Sequence, residues 1–404
     1  MVQKIKLTKR STNHKKGGIN HMFKNIINIS LLLALINSFS FADTVADPII
    51  NKLIEKGIIE SYEAQEIRNE ISNVVKQQFD EEKKKEEDKK KEDDQKLKVS
   101  GYLQILYKDD QNTTADPLSI LRARVTFSRK FTDFLSFSLT PDFAKLAEDK
   151  NVELKGVYID YVPFKDYLSF RIGQFNQPFG FENVYSSSKK KFVDAPKYLK
   201  EVLGSDYDYG IQASFGYKKI LQLQSAALNG TTKATETNDK KDIVLKAISD
   251  LGFLHYILKD VEVSFSVYDR YYSTATTVSV VNGKHYAVYL KIEKDIFIPT
   301  FFTFEYVYGK DLKIKHDVAD YISTLEIKPF SLTKNKYLEG ISPTFRYELW
   351  DKDINVSDNE EKITSIGVNY YFDKFLRLLV DYRRSEVTNK PANEIYDFMV
   401  QVNF

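Results

Sequence analysis

The sequence predicts an all-β chain: a 16-stranded antiparallel transmembrane β-barrel behind a short N-terminal helical or coiled-coil extension. Three observations predict it. Beyond Leu97, apolar and polar residues alternate through sixteen separate segments. The connections between them switch between long polar stretches and tight turns. The last segment runs to the carboxyl terminus and ends in Phe404.

The segments are 98–108, 118–130, 133–143, 152–162, 167–173, 207–217, 219–228, 242–250, 260–269, 283–293, 299–309, 319–328, 340–350, 361–372, 375–385 and 394–404. An even count suits a single-chain bacterial barrel with both ends on the periplasmic side. In 118–130, Leu121, Ala123, Val125 and Phe127 share one face, while Arg122, Arg124, Thr126 and Ser128 share the other. In 299–309, Phe302, Phe304, Tyr306 and Tyr308 oppose Thr303 and Glu305. A soluble sandwich also alternates, with its apolar face inward. In lipid, only closure satisfies the backbone of every strand.

Odd-to-even connections are mostly long, including 109–117, 174–206, 229–241 and 310–318. Several even-to-odd connections are tight and alike: Phe131-Thr132-Asp133-Phe134-Leu135, Phe164-Lys165-Asp166-Tyr167-Leu168 and Phe372-Asp373-Lys374-Phe375-Leu376. Long loops on one side and short turns on the other is the asymmetry of an outer-membrane barrel, with flanking aromatics at the interface. Segments 251–259 and 329–339 are longer than that rule prefers. With Tyr 26 and Phe 28 against Trp 1, the chain has the aromatics for such bands.

Ahead of the barrel, Met22-Phe23-Lys24-Asn25 and the apolar run Ile26 to Ala42 read as an export signal cleaved after Ala42. The run is short for a spanning helix. Residues 1–21 form an upstream extension, and Met22 is an alternative start. Residues 43–97 are expected to be a periplasmic, charge-rich helical segment and 98–404 the barrel. Ile67, Ile71, Val74 and Phe79 form a narrow helical seam, and Gly57 divides the stretch into helices at about 48–56 and 61–79. Residues 80–96 are almost all charged, a solvated helix continuation or a spacer, and the seam allows a small coiled coil.

Composition excludes several classes. There is no cysteine, hence no disulfide or thiolate chemistry. Residues 1–42 hold seven basic residues and no acid, so removing them turns the formal +2 into −5, which gives no reason to invoke nucleic acid. Only His255, His285 and His316 follow the signal, too scattered for a metal cluster. His285 shares a face with Tyr289 and Lys291 but with no suitably placed serine, so no hydrolase triad is expected. No cofactor or metal is expected. Residues 43–97 are too short and charged for a receptor plug, whereas a surface adhesin without an open channel remains the alternative.

Gly101-Tyr102-Leu103-Gln104, Leu121-Arg122-Ala123-Arg124-Val125 and Tyr158-Ile159-Asp160-Tyr161 carry a family resemblance. The most specific stretch is Leu168-Ser169-Phe170-Arg171-Ile172-Gly173-Gln174-Phe175-Asn176-Gln177-Pro178-Phe179-Gly180, followed by Glu182. Over residues 98–182 the chain resembles the phosphate-selective porin O and P family. The resemblance implies a trimeric sixteen-stranded barrel, a channel for anions such as phosphate, and a periplasmic segment before it. Tyr396, Phe398, Val400, Val402 and Phe404 share one face, and this ending resembles the signature read by the barrel-assembly machinery. The expected partners are outer-membrane lipid, that machinery, small anionic solutes and two further copies of the chain.

The longest connection, 174–206, is the candidate to fold inward and narrow the pore. It carries Lys189, Lys190, Lys191, Lys197 and Lys200. Arg122, Arg124 and Arg171 fall on polar strand faces and form a candidate basic ladder suited to phosphate. Asp142, Glu153 and Asp160 lie on the same face nearby, and a transverse ion-pair network there would cancel it.

Overall fold

The computed structural model describes residues 48, 50–57, 60–113, 118–146, 151–204, 206–218, 220–230, 239–255, 258–272, 280–295, 297–333 and 335–404. The export signal expected over 26–42 lies outside them, as do parts of the loops after the seventh and ninth strands. The described chain divides into two units, residues 1–93 and 94–404.

In the first unit, α1 (residues 50–55) stops where Gly57 takes φ +65° and its N–H bonds the Ile54 carbonyl. That left-handed conformation is where glycine ends helices. The next helix, α2 (Ser61–Asp94), opens with the Glu63 carboxylate accepting the Glu60 N–H at 2.8 Å, half of a capping box. Ile50 and Ala64 are buried, and Arg68 donates to Asn51 Oδ1 at 2.8 Å, so the two helices pack as a hairpin. Of the two readings of the charged stretch after 79, helix continuation or spacer, the structure takes the first, and the helix runs on to Asp94. Opposite charges four apart, as in Glu81 and Lys85, favour that continuation. Its 34 residues span about 51 Å at 1.5 Å per residue.

The second unit is one closed antiparallel sheet in which each strand pairs with its chain neighbours and β1 with β16. The strands are β1 Lys98–Asp110, β2 Leu118–Lys130, β3 Leu135–Asp142, β4 Glu153–Phe164, β5 Leu168–Asn176, β6 Tyr207–Tyr217, β7 Leu221–Leu228 and β8 Asp242–Asp250. The other half comprises β9 Val261–Tyr272, β10 Val281–Asp295, β11 Pro299–Asp311, β12 His316–Ile327, β13 Ile341–Asp351, β14 Glu361–Tyr371, β15 Leu376–Val387 and β16 Asn393–Asn403. All sixteen expected segments are strands. Closure is made by the antiparallel pairing of β1 with β16, from Tyr102–Asn403 to Asp110–Ile395, which main-chain bonds between Gly101 and Phe404 extend in both directions at 2.9 and 3.0 Å.

Period-two alternation decides which side chains face out. Ile105, Ile159, Ile172, Phe265, Ile366 and Val380 are exposed on the outer wall, and Tyr396, Phe398 and Phe404 share that face on β16. Their strand neighbours Gln104, Asp160, Arg171, Ser266, Ser365 and Asp381 face the lumen, several of them fully buried. An apolar exterior around a polar interior is the inverse of a soluble core.

Several strand boundaries and the face of one residue differ from expectation. β5 continues to Asn176 instead of ending at 173. The connection expected at 310–318 shrinks to residues 312–315, because β11 and β12 both extend into it and Lys315 takes φ +64° to close the turn. In β2, Leu121 is not on the outer face. The register passes from Gln104–Arg122 to Ile105–Ile120, leaving Leu121 as the extra residue of a bulge, and it packs inside against Leu106, Val193, Leu379 and Met399.

The turns behave as their sequences suggest. Phe131 and Phe372 each donate their N–H to the leucine four residues on, at 2.8 and 3.0 Å. Asp373 Oδ1 accepts the Phe375 and Leu376 N–H groups, and Asp166 takes φ +67° in the third such turn. The described residues of the longer connections 251–260 and 328–340 include a short helical turn, Leu251–Phe253, and α3, Lys336–Glu339. Asp250 and Asn335 cap them.

Candidate functional site

Alternation alone would leave a wide lumen. What narrows it is the connection between β5 and β6, residues 177–206, which folds inward. The loop is amphipathic across its width. Phe179, Tyr198, Val202 and Leu203 dock on apolar residues of the lumen wall, among them Leu228, Val244, Tyr268, Val318 and Trp350. His285, which raised the question of catalysis, sits in this cluster with its Nδ1 bonded to the Tyr198 hydroxyl.

Charged side chains of the same wall hold the loop's main chain. Lys246 Nζ donates to the Gly180 carbonyl at 2.6 Å, Arg346 to Asp194 at 2.9 Å and Arg270 to Val202 at 3.1 Å. Arg377 donates to the Lys190 carbonyl at 2.6 Å, and Asn369 to Lys191 at 3.2 Å. Glu305, Asp320, Glu348 and Asp381 accept loop N–H groups. None of these partners was singled out from sequence. The available signal was a charged residue recurring on the lumenal face of β8 to β15; its loop partner, often more than a hundred residues away, left no local trace.

Two glycines make the close approach possible. Gly180 has φ +64°, and a Cβ there would lie 2.3 Å from Glu305 Oε1. Gly173 has φ +133°, and its Cβ would lie 2.1 Å from the Val157 carbonyl oxygen. Gly180→Ala should therefore loosen the start of the loop at a cost of roughly 1–3 kcal/mol, read as faster proteolysis within 177–206 in a barrel that still folds. Unchanged proteolysis would mean the loop start tolerates the methyl group.

Docked on β7 to β13, the loop leaves a cavity of about 560 Å³ against the β2 to β4 wall. Arg122, Arg124, Lys145, Lys155, Lys190 and Lys200 line it, against Asp142, Glu153 and Asp206. Several of these charges are spent locally. Arg124 pairs with Asp142 at 2.8 Å, both nearly buried. Lys155 pairs with Glu153 at 3.0 Å, Lys190 with Glu182 at 3.6 Å and Lys200 with Asp194 at 2.6 Å. Arg122 differs: it donates to the neutral Gln104 Oε1 at 2.7 Å, and Gln104 in turn donates to Gln401. Among the described residues it has no carboxylate within 4.0 Å. Burial pushes the Lys200 ammonium down to about 8, with the Lys108 and Arg346 charges adding to the effect.

The structure divides the expected basic set. Arg122, Arg124 and Lys190 meet in this cavity. Arg171 does not join them; β3 and β4 lie between β5 and β2. It is held bidentate by Asp160 at 2.7 and 3.0 Å and lies 3.9 Å from the centroid of the Tyr158 ring. Of the three lysines, Lys189 is exposed. Lys191 lines a second cavity of about 480 Å³ with Lys294, Lys328 and Glu326, and pairs with Glu326 at 2.5 Å. The expected ladder is thus partly cancelled, as the nearby carboxylates had suggested. Of the family motif, Phe179 is in the apolar cluster and Gln174 is buried; Pro178 precedes the turn at Gly180.

Comparison with known proteins agrees with this architecture. Residues 99–248 match the family model described as phosphate-selective porin O and P. No curated protein sequence matches. Among solved structures, the anion-selective porin from Comamonas acidovorans is similar at TM-score 0.56 and 10% identity, covering 76% of this chain and 99% of that one. Salmonella typhi OmpF, in complex with daunomycin, gives TM-score 0.55 and 12% identity over 78% and 99%. The trimer form of OmpT from Vibrio cholerae gives 0.55 and 11% over 76% and 99%. This chain has the closed sixteen-stranded fold of outer-membrane porins, and its residues 99–248 match the phosphate-selective porin O and P family.

Proposed function

We propose that the protein is an exported outer-membrane porin, cleaved after Ala42, that passes small anions by diffusion through the cavity beside its inward loop. One observation carries the reading: the inward loop leaves, against the β2 to β4 wall, a cavity lined by six basic and three acidic residues. A pore selects by its width and by the charge lining it. Arg122 supplies the guanidinium least committed to a carboxylate, and a guanidinium suits phosphate as well as chloride. The anion selectivity named for the Comamonas acidovorans porin is in keeping with it.

A homotrimer is the proposed assembly, supported by the trimer form of the similar Vibrio cholerae protein. The outward Tyr396, Phe398 and Phe404 are proposed to present the signal for barrel assembly, and α2 to act as a periplasmic spacer.

Single-channel recording of the refolded mature chain in a planar bilayer tests the reading. The expected result is conductance steps grouped in threes, with a zero-current potential on the anion side in a KCl gradient. Block by added phosphate would favour phosphate as the solute. Steps without charge preference would leave a general diffusion channel. Silence from a folded barrel would overturn the channel and favour a surface adhesin.

A further inference from the structure

Among the carboxyl groups buried in the lumen, which an anion channel should avoid, four meet the inward loop: Glu305 on β11, Asp320 on β12, Glu348 on β13 and Asp381 on β15. Each is at most 4% exposed. Each faces the loop and accepts main-chain N–H groups from it. Glu305 takes two, from Phe181 at 2.6 Å and Glu182 at 3.0 Å, one on each oxygen. Asp320 takes Tyr198 at 3.1 Å, Glu348 takes Lys197 at 2.5 Å and Asp381 takes Val193 at 3.1 Å.

These contacts bracket residues 181–198, the segment that presents Lys190 to the cavity beside Arg122. A buried N–H without a partner is costly, and a carboxylate is its strongest acceptor. These four groups therefore share in holding the segment, with the cationic and amide donors that bind its carbonyls.

We infer that Glu305, Asp320, Glu348 and Asp381 are positioning residues for selectivity: by tying the loop's main chain, they hold its lysines at the opening. The inference rests on the channel reading above and makes a prediction opposite in sign to simple electrostatics. Removing a negative charge from a pore wall should raise anion preference. Removing an anchor should lower it, because the loop and its lysines leave the opening.

Asp381 separates the two effects at one position. Asp381→Asn removes the charge and keeps an oxygen for the Val193 N–H. Asp381→Ala removes both. The expected result is a chloride-over-potassium permeability ratio at or above wild type for Asn, and about threefold or more below it for Ala, with higher conductance. Glu305→Gln should also lower the ratio, since it turns one of the two acceptor oxygens into an NH2 donor facing a loop N–H. Asp397→Asn is the control: Asp397 also lies buried in the lumen, and among the described residues neither of its oxygens has a hydrogen-bond partner. It should not lower the ratio.

Asn and Ala shifting together to higher anion preference would overturn the inference, as would a fall with Asp397→Asn. A second readout needs no current. The chain has no cysteine, so Val193→Cys, which keeps the main-chain donor, reports loop exposure to a maleimide. Labelling should be at least roughly threefold faster in Asp381→Ala than in Asp381→Asn, and equal rates would overturn the anchoring role. A wild-type barrel that conducts nothing would sink the channel reading while leaving this labelling test intact.

Discussion

Arg122→Gln should lower anion-over-cation permeability about fivefold, leaving the fold intact. A unit charge about 8 Å from the ion path, at an effective dielectric of about 40, is worth roughly 1 kcal/mol. Arg122 is the clean test because its hydrogen-bond acceptor, Gln104, is neutral, so removing it strands no carboxylate. Arg124→Gln would confound the result. It leaves the nearly buried Asp142 without its partner, at about 3–5 kcal/mol of stability.

Lys190→Gln should act in the same direction as Arg122→Gln, whereas Lys189→Gln should leave the reversal potential unchanged because Lys189 is exposed. The Lys200 charge adds a pH window. An ammonium lowered to about 8 is charged at pH 7 and loses that charge as the pH rises through 8, well below the range of an ordinary lysine. Anion preference should therefore fall between pH 7 and 9, and Lys200→Arg should remove that fall. An Arg122→Gln channel with wild-type reversal potential would take Arg122 out of the ion path.

Tyr198→Ala should unfasten the loop from the wall. Tyr198 is fully buried, packs near Phe179 and Trp350 with ring centroids 6.3 and 6.4 Å away, and bonds His285 through its hydroxyl. Truncating a buried aromatic costs about 3–5 kcal/mol. The loss falls on loop docking, since no strand ladder includes Tyr198. The expected outcome is a folded barrel with larger, noisier conductance and rapid proteolysis between 177 and 206. Tyr198→Phe keeps the ring and leaves His285 Nδ1 unbonded, so its cost should stay at about 1–3 kcal/mol with near-normal conductance. Wild-type conductance in Tyr198→Ala would mean that the charged anchors suffice to dock the loop.

Both experiments turn on contacts that the chain's local pattern does not contain. Arg171 illustrates why. Its place on a polar strand face was readable from alternation, but its neutralisation by Asp160 depends on the β4 to β5 register. Leu121 is a second case: one extra residue in β2 reverses its face, and only the pairing with β1 reveals the bulge. The helix beyond residue 79 is a third, since its mixed charges are as compatible with a solvated spacer as with a continued α2.

The strand count, the lumenal and outer faces and the inward candidate loop are written locally, because a strand's period of two and a turn's residue types are properties of a few neighbours. Which charges remain to act on a solute is not local. Arg124 and Arg122 sit two apart on the same face, yet one meets Asp142 and the other Gln104, partners brought by different strands. Ion pairing and hydrogen bonding act over a few ångströms of space, and only closure of the barrel and docking of the loop bring those partners within reach.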